Sequence, residues 1–261
     1  MINFETLLLE KGDGIATITL NRPKSMNALN SQLLGELDQI VTDIELDDAI
    51  SAVLITGSEK FFAAGADIIE INTVSDPLSA RRFLKPIQDT ITKVEDMGKP
   101  VIAVVCGFAL GGGCELALAC DIRVAADNAM FALPEIKIGV IPGGGGTQRL
   151  PRIVGAGRAK EMMYAGEMID AQEAYRIGLV NKVYPLASVM VEATKLAAKI
   201  TQQPRAGVAA LKQCVNQGMN MDLKDGIAYE ARSFEILFST EDQKEGIKAF
   251  VEKRKPVYKN R

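Results

Sequence analysis

Two glutamates stand in unusual company. Glu115 falls within an otherwise apolar stretch, Leu110 to Cys120, and Glu135 sits in Leu133-Pro134-Glu135-Ile136 just before a glycine-rich loop. Burial disfavours a carboxylate ion and lifts its pKa toward neutrality, where the group can move protons. The 261-residue chain has no histidine at all, which excludes Ser-His-Asp and Cys-His hydrolases, His-ligated zinc sites and histidine shuttles. Acid–base work must fall to carboxylates, lysine, tyrosine or thiol. Either glutamate alone fits a structural role better than a functional one; two of them flanking glycine turns shift the balance toward chemistry.

Glycine is the second signal. Nine of the 23 glycines lie between Gly107 and Gly146, so backbone is used there at close quarters. Gly111-Gly112-Gly113 leads into Cys114-Glu115-Leu116 without the third glycine of a dinucleotide fingerprint. Gly143 to Gly146 lead into Thr147-Gln148, where a phosphate loop needs Lys and Ser/Thr. Peptide N–H groups at a helix start are unpaired and sit at the positive end of the dipole, and glycine lets a ligand oxygen approach them. Gly112 suits that role. Tight strand-to-helix packing explains the same glycines, and on the residues alone both readings stay open.

The elements that must position these groups alternate. Gly14 to Leu20 alternates with period two and predicts a half-buried strand. From Asn30 or Ser31, Leu33, Leu34, Leu37, Ile40, Val41 and Ile44 form one helical stripe behind a capping side chain. Ala52 to Gly57 predicts a strand, Phe62 to Asp67 a turn of small residues, and Phe83, Leu84, Ile87, Ile91 and Val94 a second helix. The run Val101 to Val105 suits a fully buried strand entering the glycines and a helix over Cys114 to Ala119. Short strands follow at Ile122–Ala125 and Ala129–Ala132, and Gly178 closes a helix before a strand at Leu179–Tyr184. The remainder is helical, and Thr240 with Gln243 fits a capping box.

At 48% hydrophobic, a chain of this length buries roughly three quarters of its unfolded surface as one domain. A net charge of −3 and a pI near 5.3 give no global field for nucleic acid or anionic membrane. Cys106, Cys114, Cys120 and Cys214 form neither C-x-x-C nor metal-ligand spacing, which reads as reduced, core-packing thiols in the cytoplasm. The start, Met1 to Glu5, has no basic leader region, and the uncharged stretch Pro100 to Cys114 is too short to span a bilayer.

Taken in order, Asn21-Arg22-Pro23 with Asn27-Ala28-Leu29, Phe62 to Ile68, Lys99 to Ala103, Gly107 to Leu116, Pro134-Glu135 and Gly145 to Leu150 resemble the crotonase, or enoyl-CoA hydratase/isomerase, family. The tail Ala249 to Lys255 is similar as well, so the resemblance runs over essentially the whole chain. It implies an α/β fold, a spiral of ββα units over residues 1–200 carrying an acyl-CoA site. A helical C-terminal region, 201–261, would serve trimerisation and pocket covering. It also implies a homo-oligomer, a trimer or a dimer of trimers, with no redox cofactor or metal.

Carried onto this sequence, the family pattern makes Ala66 and Gly112 the two backbone donors to a thioester carbonyl. In a comparable oxyanion hole one such donor is worth about 3–4 kcal/mol. Glu115 would orient and deprotonate the water that attacks C3, and Glu135 would protonate C2. Ala64, Ala66, Asp67, Ile68 and Gly112 match the coenzyme A contacts, and Lys253 matches a basic position that reaches a CoA phosphate, often across a subunit contact. Arg22 and Lys24 are weaker candidates. Where many relatives carry lysine, this chain has Ile69, a departure that touches one phosphate contact and not the reaction.

The implied activity is reversible hydration of a trans-2-enoyl-CoA to a 3-hydroxyacyl-CoA, closest in look to bacterial short-chain hydratases acting on C4 substrates, such as those serving butyrate metabolism. The acyl pocket would draw on Phe83-Leu84, the Ile138 to Pro142 turn and the C-terminal helices. The alternatives are an enoyl-CoA isomerase or a branched or dienoyl-CoA hydratase. From another class comes an RNA-binding homologue, which would use the basic cluster Lys253-Arg254-Lys255 with Lys259 and Arg261.

Overall fold

Three times in succession the chain lays down a pair of strands and turns toward a helix. In the computed structural model, which describes residues 4–260, β1 (Leu7–Gly12) and β2 (Ile15–Leu20) form a hairpin ahead of α1 (Ser31–Leu46). The first repeat is β3 (Ala52–Thr56) and β4 (Phe61–Ala63) with α2 (Ile68–Ile71) and α3 (Pro77–Asp96). The second is β5 (Val101–Val105) and β6 (Phe108–Leu110) with α4 (Gly112–Ala119). The third is β7 (Ile122–Ala126) and β8 (Met130–Ala132) with a 3-10 turn at Glu135–Ile138. Then come α5 (Gly146–Val154), α6 (Ala156–Ala165), β9 (Ile169–Asp170), α7 (Ala171–Arg176), β10 (Lys182–Tyr184) and α8 (Val189–Thr201). The chain closes with α9 (Arg205–Gly218), α10 (Leu223–Leu237) and α11 (Glu241–Val251).

Each repeat gives its first strand to one sheet and its second to another. The six-stranded sheet has the order β1-β2-β3-β5-β7-β10 and the four-stranded sheet β4-β6-β8-β9. From β2 to β10 the larger sheet is parallel, with only the β1 edge antiparallel. The result is the expected spiral of ββα units.

The parallel strands are covered on both faces, so β3 and β5 read as unbroken apolar runs. Val53, Ile55, Val101, Ala103 and Val105 pack into the core shared with α1 and α3. Their alternates Leu54, Ile102 and Val104 face Val189, Ala193 and Ala197 of α8. On α1 the whole expected stripe, Leu33 through Ile44, is buried, and Asn30 caps the helix through the Leu33 N–H at 3.0 Å.

Several local expectations need correction. The strand expected at Leu179–Tyr184 is only Lys182–Tyr184, because the Leu179 and Val180 amides turn back to the Ala174 carbonyl and that of Asn181 bonds Arg123. The small-residue turn begins only after Ala63, since Phe62 and Ala63 belong to β4. Of the capping box, the Thr240 half forms, accepting from the Gln243 N–H at 3.2 Å. Residues 1–3 of the N-terminal reading and Arg261 of the basic cluster lie outside the described residues. Cys106, Cys114 and Cys120 are buried thiols, as expected, and Cys214 is half-buried. Among the described residues no helix is long and apolar enough to cross a membrane.

Candidate active site

The site grows from the point where β4 and β6 end side by side. A short bridge between Leu29 and Ala66 holds the turn after β4: the Leu29 N–H donates to the Gly65 carbonyl at 2.8 Å and the Asp67 N–H to the Leu29 carbonyl at 3.0 Å. Among the described residues, this pattern leaves the Ala66 N–H without an acceptor. Gly112, the first residue of α4, has the unpaired N–H of a helix start. The two lie close together: a methyl group on Gly112 would stand 3.3 Å from the Ala66 nitrogen. Gly111 makes this possible with φ +49°, a left-handed conformation that side chains rarely tolerate.

Much of the Asn21-to-Leu29 motif supports that turn. Asn27, buried and left-handed at φ +57°, donates to the Phe61 and Phe62 carbonyls and accepts from the Arg22 N–H. Arg22 donates to the Ala28 carbonyl and, at 3.0 Å, to Asp67. The other Asp67 oxygen caps α2 through the Ile69 N–H. Arg22 thus bonds within the fold, to Ala28 and Asp67, and the Asp67 carboxylate is likewise engaged internally. The Ala64 N–H is also used, donating to the Met26 carbonyl.

Both glutamates converge on this place. Glu115, one turn into α4 and 3% exposed, accepts from the Gly146 N–H at 2.7 Å, with the Gly144 N–H lending further support. Burial raises its pKa above the ordinary carboxylate value, while these peptide groups and the Arg149 charge pull it back. Glu135, at the start of the 3-10 turn, brings Oε1 against Gly111, 3.0 Å from where a methyl group there would sit. Its Oε2 is buried with no hydrogen-bond partner among the described residues. Burial, aided by the nearby Glu115 charge, pushes Glu135 up to about 7.

Ala64, Ala66, Asp67, Ile68, Gly112, Glu115 and Glu135 thus gather around the ends of β4 and β6. Ile68 and Ile69 stand exposed on α2. Of the residues expected at the acyl pocket, Leu84 packs directly on Gly143, Phe83 is half-buried, and Ile138, Val140 and Ile141 are exposed. Lys253 stands apart, exposed and left-handed just past α11, and no hydrogen bond or ion pair joins it to this group. Two contributors escaped the sequence reading, the Gly144 and Gly146 amides that hold Glu115. The signal that could have found them is an unbroken glycine run ending at a helix start.

Known proteins resemble this chain over nearly its whole length. The family model described as Enoyl-CoA hydratase/isomerase matches residues 10–261. A crotonyl-CoA hydratase of Syntrophomonas wolfei subsp. wolfei is 47% identical over 253 residues, covering 97% of each chain. A short-chain-enoyl-CoA hydratase of Clostridium acetobutylicum is 46% identical over 262 residues, covering both chains completely. The crystal structure of an enoyl-CoA hydratase from Bacillus anthracis superposes with a TM-score of 0.95 at 40% identity, covering 98% of this chain and all of that one. On full-length likeness of sequence and of fold, this chain belongs to the enoyl-CoA hydratase/isomerase family.

Proposed function

We propose that this chain is an enoyl-CoA hydratase that adds water reversibly to a short-chain trans-2-enoyl-CoA, with Glu115 and Glu135 as the catalytic pair and the Ala66 and Gly112 N–H groups as the oxyanion hole. The observation that carries the reading is the unpartnered Glu135 oxygen, buried beside a second carboxylate and an unpaired pair of amides. An orphaned buried carboxyl oxygen is unfavourable. A reacting water or carbon at that spot gives it a partner.

The environments set the pair apart. Glu115 has peptide donors that favour its ion, whereas Glu135 has little to oppose burial and holds its proton near neutrality. Glu115 removes a proton from water as the oxygen bonds to C3. The C2=C3 electrons move toward the thioester carbonyl, whose developing charge Ala66 and Gly112 receive. Glu135 then delivers its proton to C2. Dehydration runs the same steps backwards, and the carboxylates titrate as a coupled pair. The proton gained by Glu115 and the one lost by Glu135 are restored by exchange with water, and these steps call on no redox cofactor or metal.

The coenzyme A would run along Ala64 to Ile68, and Lys253 would meet its phosphate from a neighbouring subunit. A homo-oligomer, a trimer or a dimer of trimers, is supported by the apolar side chains that the C-terminal helices leave uncovered. A cytoplasmic location accords with the reduced thiols. Nucleic acid is not an expected partner, because Arg254 of the basic cluster is already paired with Glu245 and Glu252.

The test is the loss of conjugated enoyl-thioester absorbance when crotonyl-CoA meets the purified protein, run beside Glu135→Gln and longer enoyl-CoAs. Rapid loss with the native protein, slowed about a thousandfold in the variant, is expected, and the rates along the series set chain length. No loss with any substrate would turn the reading toward isomerisation. Near-native rates in the variant would end the two-carboxylate mechanism.

A further inference from the structure

The loop that holds Glu115 is itself held from outside. Arg149 on α5 donates from Nη1 to the Gly144 carbonyl at 2.8 Å, and from Nε and Nη2 to one Glu95 oxygen at 3.0 and 2.6 Å. Nη2 also reaches Thr92 at 3.4 Å. Glu95 and Thr92 belong to α3, so a single guanidinium ties two helices and the loop together. The fit leaves no room for a side chain: Gly145 has φ +106°, and a methyl group there would lie 2.0 Å from Nη1.

Peptide units are planar, so holding a carbonyl fixes the N–H of the following residue. The two units that present N–H groups to Glu115 carry the carbonyls of Gly143 and Gly145. Gln88 donates to the first at 2.7 Å, and the Gln148 and Arg149 backbone N–H groups donate to the second at 2.9 Å. The unit between them, with the Gly144 carbonyl, is gripped by the Arg149 side chain. Three consecutive planes are pinned, the middle one through the guanidinium.

On the reading of Glu115 given above, we propose that Arg149, clamped by Glu95, is a positioning residue for the reaction: it locks the Gly143–Gly146 loop so that its amides hold the Glu115 carboxylate in place for water. The charge acts in the same direction as the geometry, favouring ionised Glu115 against its burial. The other titratable groups that feel Glu115 are Glu135 on the 3-10 turn and the buried Cys114 thiol on its own helix. Towards this loop α3 turns apolar Ile91, with Glu95 behind Arg149.

The experiment compares Arg149→Gln, Arg149→Lys and Glu95→Gln with the native protein in two readouts. One is kcat and KM for crotonyl-CoA. The other is titration of the Glu115 carboxyl carbon by NMR on glutamate-labelled protein, its signal identified by disappearance in Glu115→Gln. Arg149→Gln is expected to lower kcat about ten- to a hundredfold with little change in KM, and to raise the pH at which Glu115 titrates. Arg149→Lys restores the titration but not kcat, because an ammonium cannot bridge as a planar fork does.

Native-like kcat and titration in Arg149→Gln would overturn the proposal, as would a loss confined to KM. If that variant fails to fold, Glu95→Gln frees the guanidinium while keeping its charge. A several-fold drop in kcat is then expected, and an unchanged kcat overturns the clamp. The titration needs no substrate: a shifted Glu115 in a protein that hydrates nothing sinks the functional reading and keeps the clamp, while hydration with an unshifted Glu115 sinks the clamp alone.

Discussion

Helices α1 and α10 are alike in the sequence, 16 and 15 residues long and both amphipathic, yet they end in opposite situations. α1 buries Leu33, Leu34, Leu37, Ile40, Val41 and Ile44 against the parallel sheet. α10 buries nothing, leaving Leu223, Ile227, Phe234 and Ile236 exposed, and on α11 Phe250 is 85% exposed. An apolar stripe specifies that a helix must be covered, not what covers it. In the spiral the cover is the chain's own sheet. In the tail it is missing from the single chain, consistent with the proposed assembly.

The largest effect of a substitution should fall where the spiral is tightest. A Cβ on Gly113 would stand 2.2 Å from the Ala63 carbonyl oxygen, backbone on backbone, so Gly113→Val should cost about 3 kcal/mol or more, or prevent folding. Urea unfolding measures it, and a loss under 1 kcal/mol would mean that α4 and β4 are less closely packed than described. Phe234→Ser with Phe250→Ser should leave the fold intact by circular dichroism but shift the protein toward monomer in sedimentation, by about tenfold or more in dissociation constant. An unchanged assembly would mean that other surfaces cover the tail.

The next effect is linked to pH. Glu135 holds a pKa near 7 in the fold against 4.5 ordinarily, so the folded protein binds a proton that the unfolded chain has released. Its stability contribution is therefore fully present below pH 4.5 and lost as pH rises through about 7. Native protein should lose about 2 kcal/mol relative to Glu135→Gln between pH 5 and 8, read from urea midpoints at the two pH values. Parallel pH profiles would show that Glu135 is not forced to stay protonated. The smallest effect belongs to the tail: at Gly218, the last residue of α9, a Cβ meets nothing within 4 Å. Gly218→Ala should raise stability slightly, by about 0.5 kcal/mol or less, seen as a small rise in the thermal midpoint.

Much was legible along the chain because the signals are local. The α1 stripe with its Asn30 cap, the unbroken strands β3 and β5, and the odd position of Glu115 each follow from neighbours in sequence. The glycines before α4 also announced a helix start with spare N–H groups. By contrast, β4, β6 and β9 are two or three residues long and exist only because other strands lie beside them. β10 fell short of its expected span because Leu179 and Val180 bond back to α7.

Residue types, spacing and the missing histidine narrowed any acid–base chemistry to carboxylates, lysine, tyrosine or thiol, and marked the two carboxylates that were out of place. Only tertiary structure decided that Ala66 and Gly112, 46 positions apart, bring their amides together. It alone assigned Arg22 to the Asp67 turn and gave Arg149 a grip on the glycine loop. It also separated Glu115, with peptide donors, from Glu135, with an oxygen left bare. The physical reason is that a carboxylate's proton affinity depends on the donors and solvent around its oxygens, and those come from parts of the chain that meet only in the fold.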